Sequence, residues 1–194
     1  MLSKRAAELS FKLRGLIGSL FTITVLFFPG RYSLVRMFCG LIILIAGQIV
    51  RLWAAGYIPS YRTEKIGAPM LITSGPYALI RNPLYVGNFL IGIGWTFMAG
   101  WLWATVFIFV YVALYCYVLI PAEEDFLEKK FGFDYINYKK KVPAIFPRNI
   151  SSLQKNNSKK STFTLKKAYS KEVYSIRINF LVTMLFLIRM YSVR

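Results

Sequence analysis

Four apolar stretches interrupt an otherwise polar, basic chain. The stretch 13–28 is apolar after Arg14 except for Ser19 and two threonines, and Leu34 to Ala55 is broken only by Arg36, Gln48 and Arg51. Leu84 to Ile120 holds no charge at all. A helix needs about 20 mostly apolar residues to cross hydrocarbon, so this third stretch predicts two crossings with a break near Gly100. A last, shorter run, Ile178 to Ile188, is bounded by Arg177 and Arg189. It spans only if those arginines snorkel to the interfaces. The pattern predicts one all-α integral membrane domain over 1–194. Its about five transmembrane helices lie at 13–28, 34–55, 84–99, 101–120 and 177–193.

Turn residues set the connections. Pro29-Gly30 joins the first pair of helices. Gly67, Pro69, Gly75 and Pro76 make the segment before Pro83 mostly loop, Pro83 opens the third helix, and Pro121 is expected to end the fourth. Ala122 to Lys130 reads as a short amphipathic helix ending at Phe131-Gly132, and Lys155 to Ser161 reads as a linker. Segments 60–83 and 121–172 are thus expected to be loops and short helices on one side of the membrane.

Composition supports this reading. The chain is 56% hydrophobic and 17% aromatic, with a mean hydropathy of +0.48, too apolar for an ordinary soluble domain. The first run follows a basic start but lacks a small-residue cleavage pattern, so it reads as a retained helix. Net charge is +17, and the basic residues flank apolar runs instead of forming one soluble face. That pattern fits the positive-inside rule and attraction to membrane lipids, not nucleic acid. Lys4, Arg5, Lys12 and Arg14 precede the first helix, Arg31 and Arg36 follow it, and Pro121 to Glu172 carries 12 Lys/Arg against 6 Asp/Glu. The N-terminus and the 121–172 segment are therefore expected in the cytoplasm, with the C-terminus outside. The chain has no histidine, which removes His-ligated metals, Ser-His triads and His acid–base catalysis. Cys39 and Cys116 sit in apolar runs without metal-ligand spacing, and no metal is expected.

Two polar motifs flank the uncharged hairpin. The first is Gly75-Pro76-Tyr77-Ala78-Leu79-Ile80-Arg81-Asn82-Pro83-Leu84-Tyr85-Val86-Gly87-Asn88. The second starts at Pro121-Ala122-Glu123-Glu124 and continues through Phe131-Gly132, Tyr135, Tyr138 and Val142-Pro143 to Pro147-Arg148. The order of loop, hairpin and acidic segment brings both to one side of a bilayer, where polar groups persist mainly to build a site. Glu123 and Glu124 read either as interface charges beside Lys129 and Lys130 or as carboxylates for a cationic or hydroxylated ligand. Adjacent helical residues point about 100° apart, so the two glutamates should have different partners. Asn82 reads as the N-cap of the third helix, and that N-terminus also offers free N–H groups to an anion. Gly87, Gly92 and Gly94 serve close helix packing or make room for a cofactor. Tyr85, Trp95, Tyr135 and Tyr138 are interfacial aromatics or the walls of a flat-ring pocket.

In order and spacing, these motifs over residues 67 to 148 resemble the isoprenylcysteine carboxyl methyltransferase family, which belongs with the phospholipid methyltransferases. The likeness rests on "TSGPYALIRNPLYVG", the hairpin, "EE", "FG", "Y..Y...VP" and "P". Members are integral membrane enzymes that use S-adenosyl-L-methionine and release S-adenosyl-L-homocysteine. The resemblance implies cofactor contacts at Pro69, Met70, Leu71, Ile72, Tyr77, Asn82, Pro83, Leu84, Tyr85 and Glu123, with Glu124 completing the paired-acid signature. The chain departs from the pattern twice: Asn82 stands where the family usually has His, and Leu119 where eukaryotic members carry Arg.

The missing histidine suits carboxyl methylation. A carboxylate with a pKa of about 3–4 is already ionised at neutral pH, so the enzyme need only hold it in line with the methyl group, and such positioning supplies roughly 7–11 kcal/mol. Arg81, the one arginine of the first motif, is expected to orient the carboxylate of the acceptor or of the cofactor. A lipophilic prenylcysteine-like acceptor would enter from the bilayer and the cofactor from the cytoplasm. Three other readings use the same residues: an N-methyltransferase of phospholipid amines, an NADPH-dependent reductase of the sterol type, and a non-catalytic lipid-binding protein.

Overall fold

The computed structural model describes residues 18, 20–27, 33–59, 70–147 and 162–192. Among these residues the architecture is all helical, with no strand. A helical segment at 20–27 (α1) is followed by α2 (Leu34–Tyr57), a 3-10 turn (Gly75–Ala78), α3 (Pro83–Ala99), α4 (Trp101–Phe131), α5 (Phe133–Lys141) and α6 (Leu165–Ser192). Helices α2 and α4 are long and apolar enough to cross a membrane, and α3 is a shorter apolar helix. The expected Pro29-Gly30 turn, the basic N-terminal residues and the Lys155–Ser161 linker lie outside the described residues.

Glycine spacing fixes how α2 and α3 meet. Gly40 and Gly47 on α2, like Gly87 and Gly94 on α3, are seven residues apart, about two turns, so each pair shares a face. The two faces are pressed together backbone to backbone. A Cβ at Gly40 would stand 2.6 Å from the Gly94 carbonyl oxygen, and one at Gly47 would stand 2.8 Å from that of Gly87. Small residues permit this approach where no water drives the helices together. Gly92 faces the other way, with the Phe107 ring of α4 in the space its side chain would take. All three glycines of α3 are thus used in helix packing.

Gly100 separates α3 from α4, as its position in the uncharged run predicted. Its φ of +144° is a conformation that glycine adopts without a Cβ penalty. From there α4 runs to Phe131 without stopping at Pro121, which corrects the expected end of the fourth helix. Proline lacks an N–H and its ring clashes with a carbonyl one turn back. Here the helix widens to π geometry over Val112–Leu119, where the Ile120 N–H bonds to the Tyr115 carbonyl, and Pro121 follows directly on the widened turns. Gly132, at φ +55°, then ends α4 where expected and lets α5 fold back.

Sequence hydropathy also placed the last helix too late. Helix α6 begins at Leu165, twelve positions before Arg177, because its polar first half buries Ala168 and Glu172 instead of facing lipid. Its apolar half joins the main core, which gathers Val25, Met37, Leu44, Ile91, Met98, Ala99 and Phe186. Outward, Phe38, Ile42 and Ile45 of α2, Leu102 and Phe109 of α4, and Phe180 and Leu181 of α6 remain exposed. Such a belt of large apolar side chains suits a hydrocarbon surround.

Gly94→Ala and Gly47→Ala should each force α2 and α3 apart and destabilise the fold by about 1–3 kcal/mol, as overpacking does. Thermal unfolding in detergent reads this out. Gly18→Ala, whose Cβ meets nothing within 4 Å, is the control and should not lower the midpoint.

Candidate active site

The first motif is shaped by a positive-φ glycine and two prolines. Gly75 sits at φ +61°, and a Cβ there would lie 2.4 Å from the Tyr57 ring, so both conformation and space demand glycine. Pro76 opens the 3-10 turn, and its carbonyl accepts the N–H groups of Leu79 and Ile80, each at 3.1 Å. The Asn82 carbonyl then accepts from Tyr85 at 3.1 Å and Val86 at 3.2 Å, so Asn82 is the N-cap and Pro83 the first residue of α3. The Asn82 side chain makes no cap bond. Its Nδ2 donates instead to the Ala144 carbonyl at 3.2 Å, beside the backbone N–H of Asn82 on the same oxygen at 3.1 Å.

Across this junction the two motifs are tied together. The Arg81 N–H donates to the Pro143 carbonyl at 2.9 Å. The Arg81 guanidinium reaches Glu124 Oε1 through Nε at 2.9 Å and Nη2 at 2.5 Å, while Nη1 donates to the carbonyls of Lys139 and Val142. Four of its five N–H groups thus lie on protein partners. Glu124 Oε2 takes Lys139 Nζ at 3.3 Å. Glu123, one residue earlier, points elsewhere and accepts the Tyr85 hydroxyl at 2.5 Å. The twin carboxylates therefore have different partners, as the helical geometry required.

A small core holds α5 under this junction. Tyr135, Tyr138 and Val142 are buried against Leu71, Leu127 and Phe131, and the Tyr138 hydroxyl donates to the Tyr77 carbonyl at 2.6 Å. Burial, and secondly the charge of Glu124, pushes the Tyr135 phenol well above its ordinary pKa. Burial and the neighbouring Tyr77 do the same to Tyr138. Burial alone would lower Lys139, but its bonds to Glu124 and Glu128 outweigh that and raise it.

Most of the sequence-predicted site residues meet here. Arg81, Asn82, Tyr85, Glu123 and Glu124 converge, Pro83 is buried at the helix start, and Leu71 and Tyr77 join through the α5 core. Met70, Ile72 and Leu84 are half-buried along the same segments, and Pro69 lies outside the described residues. Arg81 is bound to Glu124 and to main-chain carbonyls, so its geometry is that of a tie between motifs. Leu119 is fully buried.

Two features were not anticipated. One is an aromatic run along α4. Trp103, Phe107, Tyr111 and Tyr115 recur at four-residue spacing on one face, Tyr111 stacks on Tyr115 at 3.8 Å, and Tyr115 packs on Tyr85 at 5.2 Å. The Tyr111 hydroxyl donates to the Tyr85 carbonyl at 2.7 Å. The other is a polar cluster of Gln48, Arg51, Asn88, Glu172 and Asn179, in which Glu172 and Asn179 are buried and the rest half-buried. Its signal in the sequence is Gln48 and Arg51 on one face of an apolar helix, one turn apart.

Residues 35–134, just over half of the chain, match the phospholipid methyltransferase family. The chain is 33% identical over 129 residues to the cobalt-zinc-cadmium resistance protein CzcN of Cupriavidus metallidurans, covering 60% of this chain and 57% of that protein. It is 30% identical over 116 residues to a steroid 5-alpha-reductase of Solanum lycopersicum, covering 58% and 42%. It is 35% identical over 78 residues to the protein-S-isoprenylcysteine O-methyltransferase of Schizosaccharomyces pombe, covering 40% and 33%. These matches span a third to somewhat over half of the relatives' own length. No solved structure matches the chain. The family match, which takes in Arg81, Asn82, Tyr85 and both glutamates of the junction, makes the chain a member of the phospholipid methyltransferase family.

Proposed function

We propose that the chain is a multi-pass membrane enzyme that methylates the carboxylate of a lipophilic, prenylcysteine-like acceptor, using S-adenosyl-L-methionine. The observation that carries this reading is the contrast between the twin glutamates. Glu124 is paired with Arg81 and Lys139. Among the described residues, the bonded partner of Glu123 is the neutral phenol of Tyr85, so its negative charge remains for a ligand. A carboxylate at the join of both motifs fits a cationic nucleotide cofactor with ribose hydroxyls. When bound, that cofactor would supply a methyl group activated on a sulfonium.

The chain's own residues then have distinct tasks. Glu123 and Tyr85 hold the cofactor. Asn82, Pro83 and Leu84 contribute from the start of α3, and Met70 to Ile72 from the preceding segment. Arg81 acts by holding Glu124 and the α5 end in place, which is a positioning role. A carboxylate acceptor needs no proton removed, whereas an ammonium acceptor does. Tyr135 and Tyr138 are raised in pKa and hold their protons at neutral pH, and the chain has no histidine. This residue set favours the carboxylate over a phospholipid amine. We place the N-terminus and the site on the cytoplasmic side, with about five crossings.

Likeness to a steroid reductase makes NADPH the competing cofactor, and three assays separate the readings. Protein in membranes is given labelled S-adenosyl-L-methionine with a farnesylcysteine analogue or an ethanolamine lipid. We expect base-labile label on the former, marking an ester. Base-stable label on the lipid, or binding of NADPH without binding of S-adenosyl-L-homocysteine, would reject the assignment. Glu123→Gln should weaken S-adenosyl-L-homocysteine binding about 10- to 100-fold, the worth of a hydrogen bond to a charged group, as measured by calorimetry.

The tie itself has a separate test. Removing one member of a buried ion pair costs about 3–5 kcal/mol. With side-chain exposures of 10% and 12%, Arg81→Ala should fall near the lower end, about 3 kcal/mol. Adding Glu124→Gln should recover part of that loss, because it removes a carboxylate left with the half-exposed Lys139 as its cation. Equal midpoints for the single and double variants would show that no pair energy is held there.

A further inference from the structure

The polar cluster around Glu172 has no part in the reading above, and its geometry gives it one. Glu172 of α6 is 3% exposed. It takes both Nε and Nη2 of Arg51, at 2.7 and 2.8 Å, and Gln48 Nε2 at 3.2 Å. Gln48 Oε1 in turn accepts Asn179 Nδ2 at 2.6 Å and Ser175 Oγ at 3.3 Å. Arg51 Nη1 donates to Asn88 Oδ1. The cluster therefore joins three helices: α2, α3 and α6.

Adhesion alone does not require these charges. Well-packed apolar residues replace a buried ion pair without loss of stability, and often with a gain, and α6 already buries Phe186 in the main core. The pair instead adds direction. The carboxylate holds two sides of a planar guanidinium, and the third is left aimed at Asn88. Asn88 lies three residues after Tyr85, one turn along α3, and Tyr85 bonds Glu123.

A second set of contacts acts through the end of α2. Lys171 Nζ donates to the carbonyls of Ile58 and Pro59 at 2.7 and 2.8 Å, and the Thr164 N–H donates to that of Gly56 at 3.2 Å. Phe163 packs on Tyr57 at 5.8 Å, and Tyr57 fills the space beside Gly75 in the first motif.

We infer that α6 is a brace for the site and that Glu172 is a positioning residue, holding Arg51 on Asn88 so that the first turns of α3 keep Tyr85 against Glu123. This rests on the proposed methyl transfer for its consequence in turnover, but not for its structural content.

The test uses full-length protein in nanodiscs. Asn88→Ala cuts only the link to α3. Arg51→Met combined with Glu172→Leu removes the pair while keeping α6 apolar and adherent. Hydrogen exchange of the 85–88 amides is read first, without any ligand. Both variants should keep a thermal midpoint close to wild type, speed that exchange at least 10-fold and weaken S-adenosyl-L-homocysteine binding by a similar factor. Unchanged exchange in both variants overturns the brace, whatever the activity. A wild type that binds no S-adenosyl-L-homocysteine rejects the functional reading, and the exchange comparison still decides the brace. If the double variant unfolds, Asn88→Ala, which leaves the ion pair whole, decides alone.

Discussion

The close approach of α2 to α3 governs the rest of the fold. Four glycines let two backbones touch, with their missing side chains replaced by carbonyl oxygens of the opposite helix. The consequence is local as well as global. With α3 so near, the Arg51 side chain must pass over Gly87, where a Cβ would stand 2.5 Å from its Cγ. Only then does its guanidinium meet Asn88. A bulkier α3 face would move Arg51, the first turn of α3 and the Tyr85 hydroxyl together.

Two ion pairs exploit that frame, and their surroundings decide their worth. Lys129 and Asp125, at 60% and 55% exposure, form an exposed i,i+4 pair worth about 0.3–0.5 kcal/mol. Arg81–Glu124 and Arg51–Glu172 lie where water is scarce. There the strong effect is the penalty for stranding one charge, not the net gain from pairing. Such pairs make good registers because a wrong alignment leaves a charge uncompensated. Each joins elements far apart in sequence, one across the α3–α4 hairpin and one between α2 and α6.

Much of this was legible in the sequence because it is local. The break at Gly100, Pro83 as first residue of α3, the stop at Gly132 and the divergence of Glu123 from Glu124 follow from backbone chemistry within a few residues. The packing use of Gly87 and Gly94 follows from spacing. What escaped is non-local or compensated. Pro121 carries a stop signal, but the π turns ahead of it absorb the distortion, and no residue near Pro121 announces them. Helix α6 looked short because hydropathy counts Lys171 and Glu172 against a buried helix, while the structure satisfies both with carbonyls and a guanidinium. Arg81 looked free to receive an anion, because its partners Glu124, Lys139 and Val142 come from more than forty positions away.

The family match ends at residue 134, yet the physical unit does not. The carbonyls that receive Arg81 and Asn82 belong to Lys139, Val142, Pro143 and Ala144, and the carboxylate that neutralises Arg51 belongs to Glu172. Removing everything after 134 would leave one guanidinium facing Glu124 with two of its four bonded N–H groups unsatisfied. It would leave another in an apolar helix with Asn88 as its one remaining partner from the cluster. Both losses carry the penalty of a buried polar group left without its partner. The matched stretch contains Arg81, Asn82 and both glutamates, and residues beyond it supply the partners that hold these groups in register.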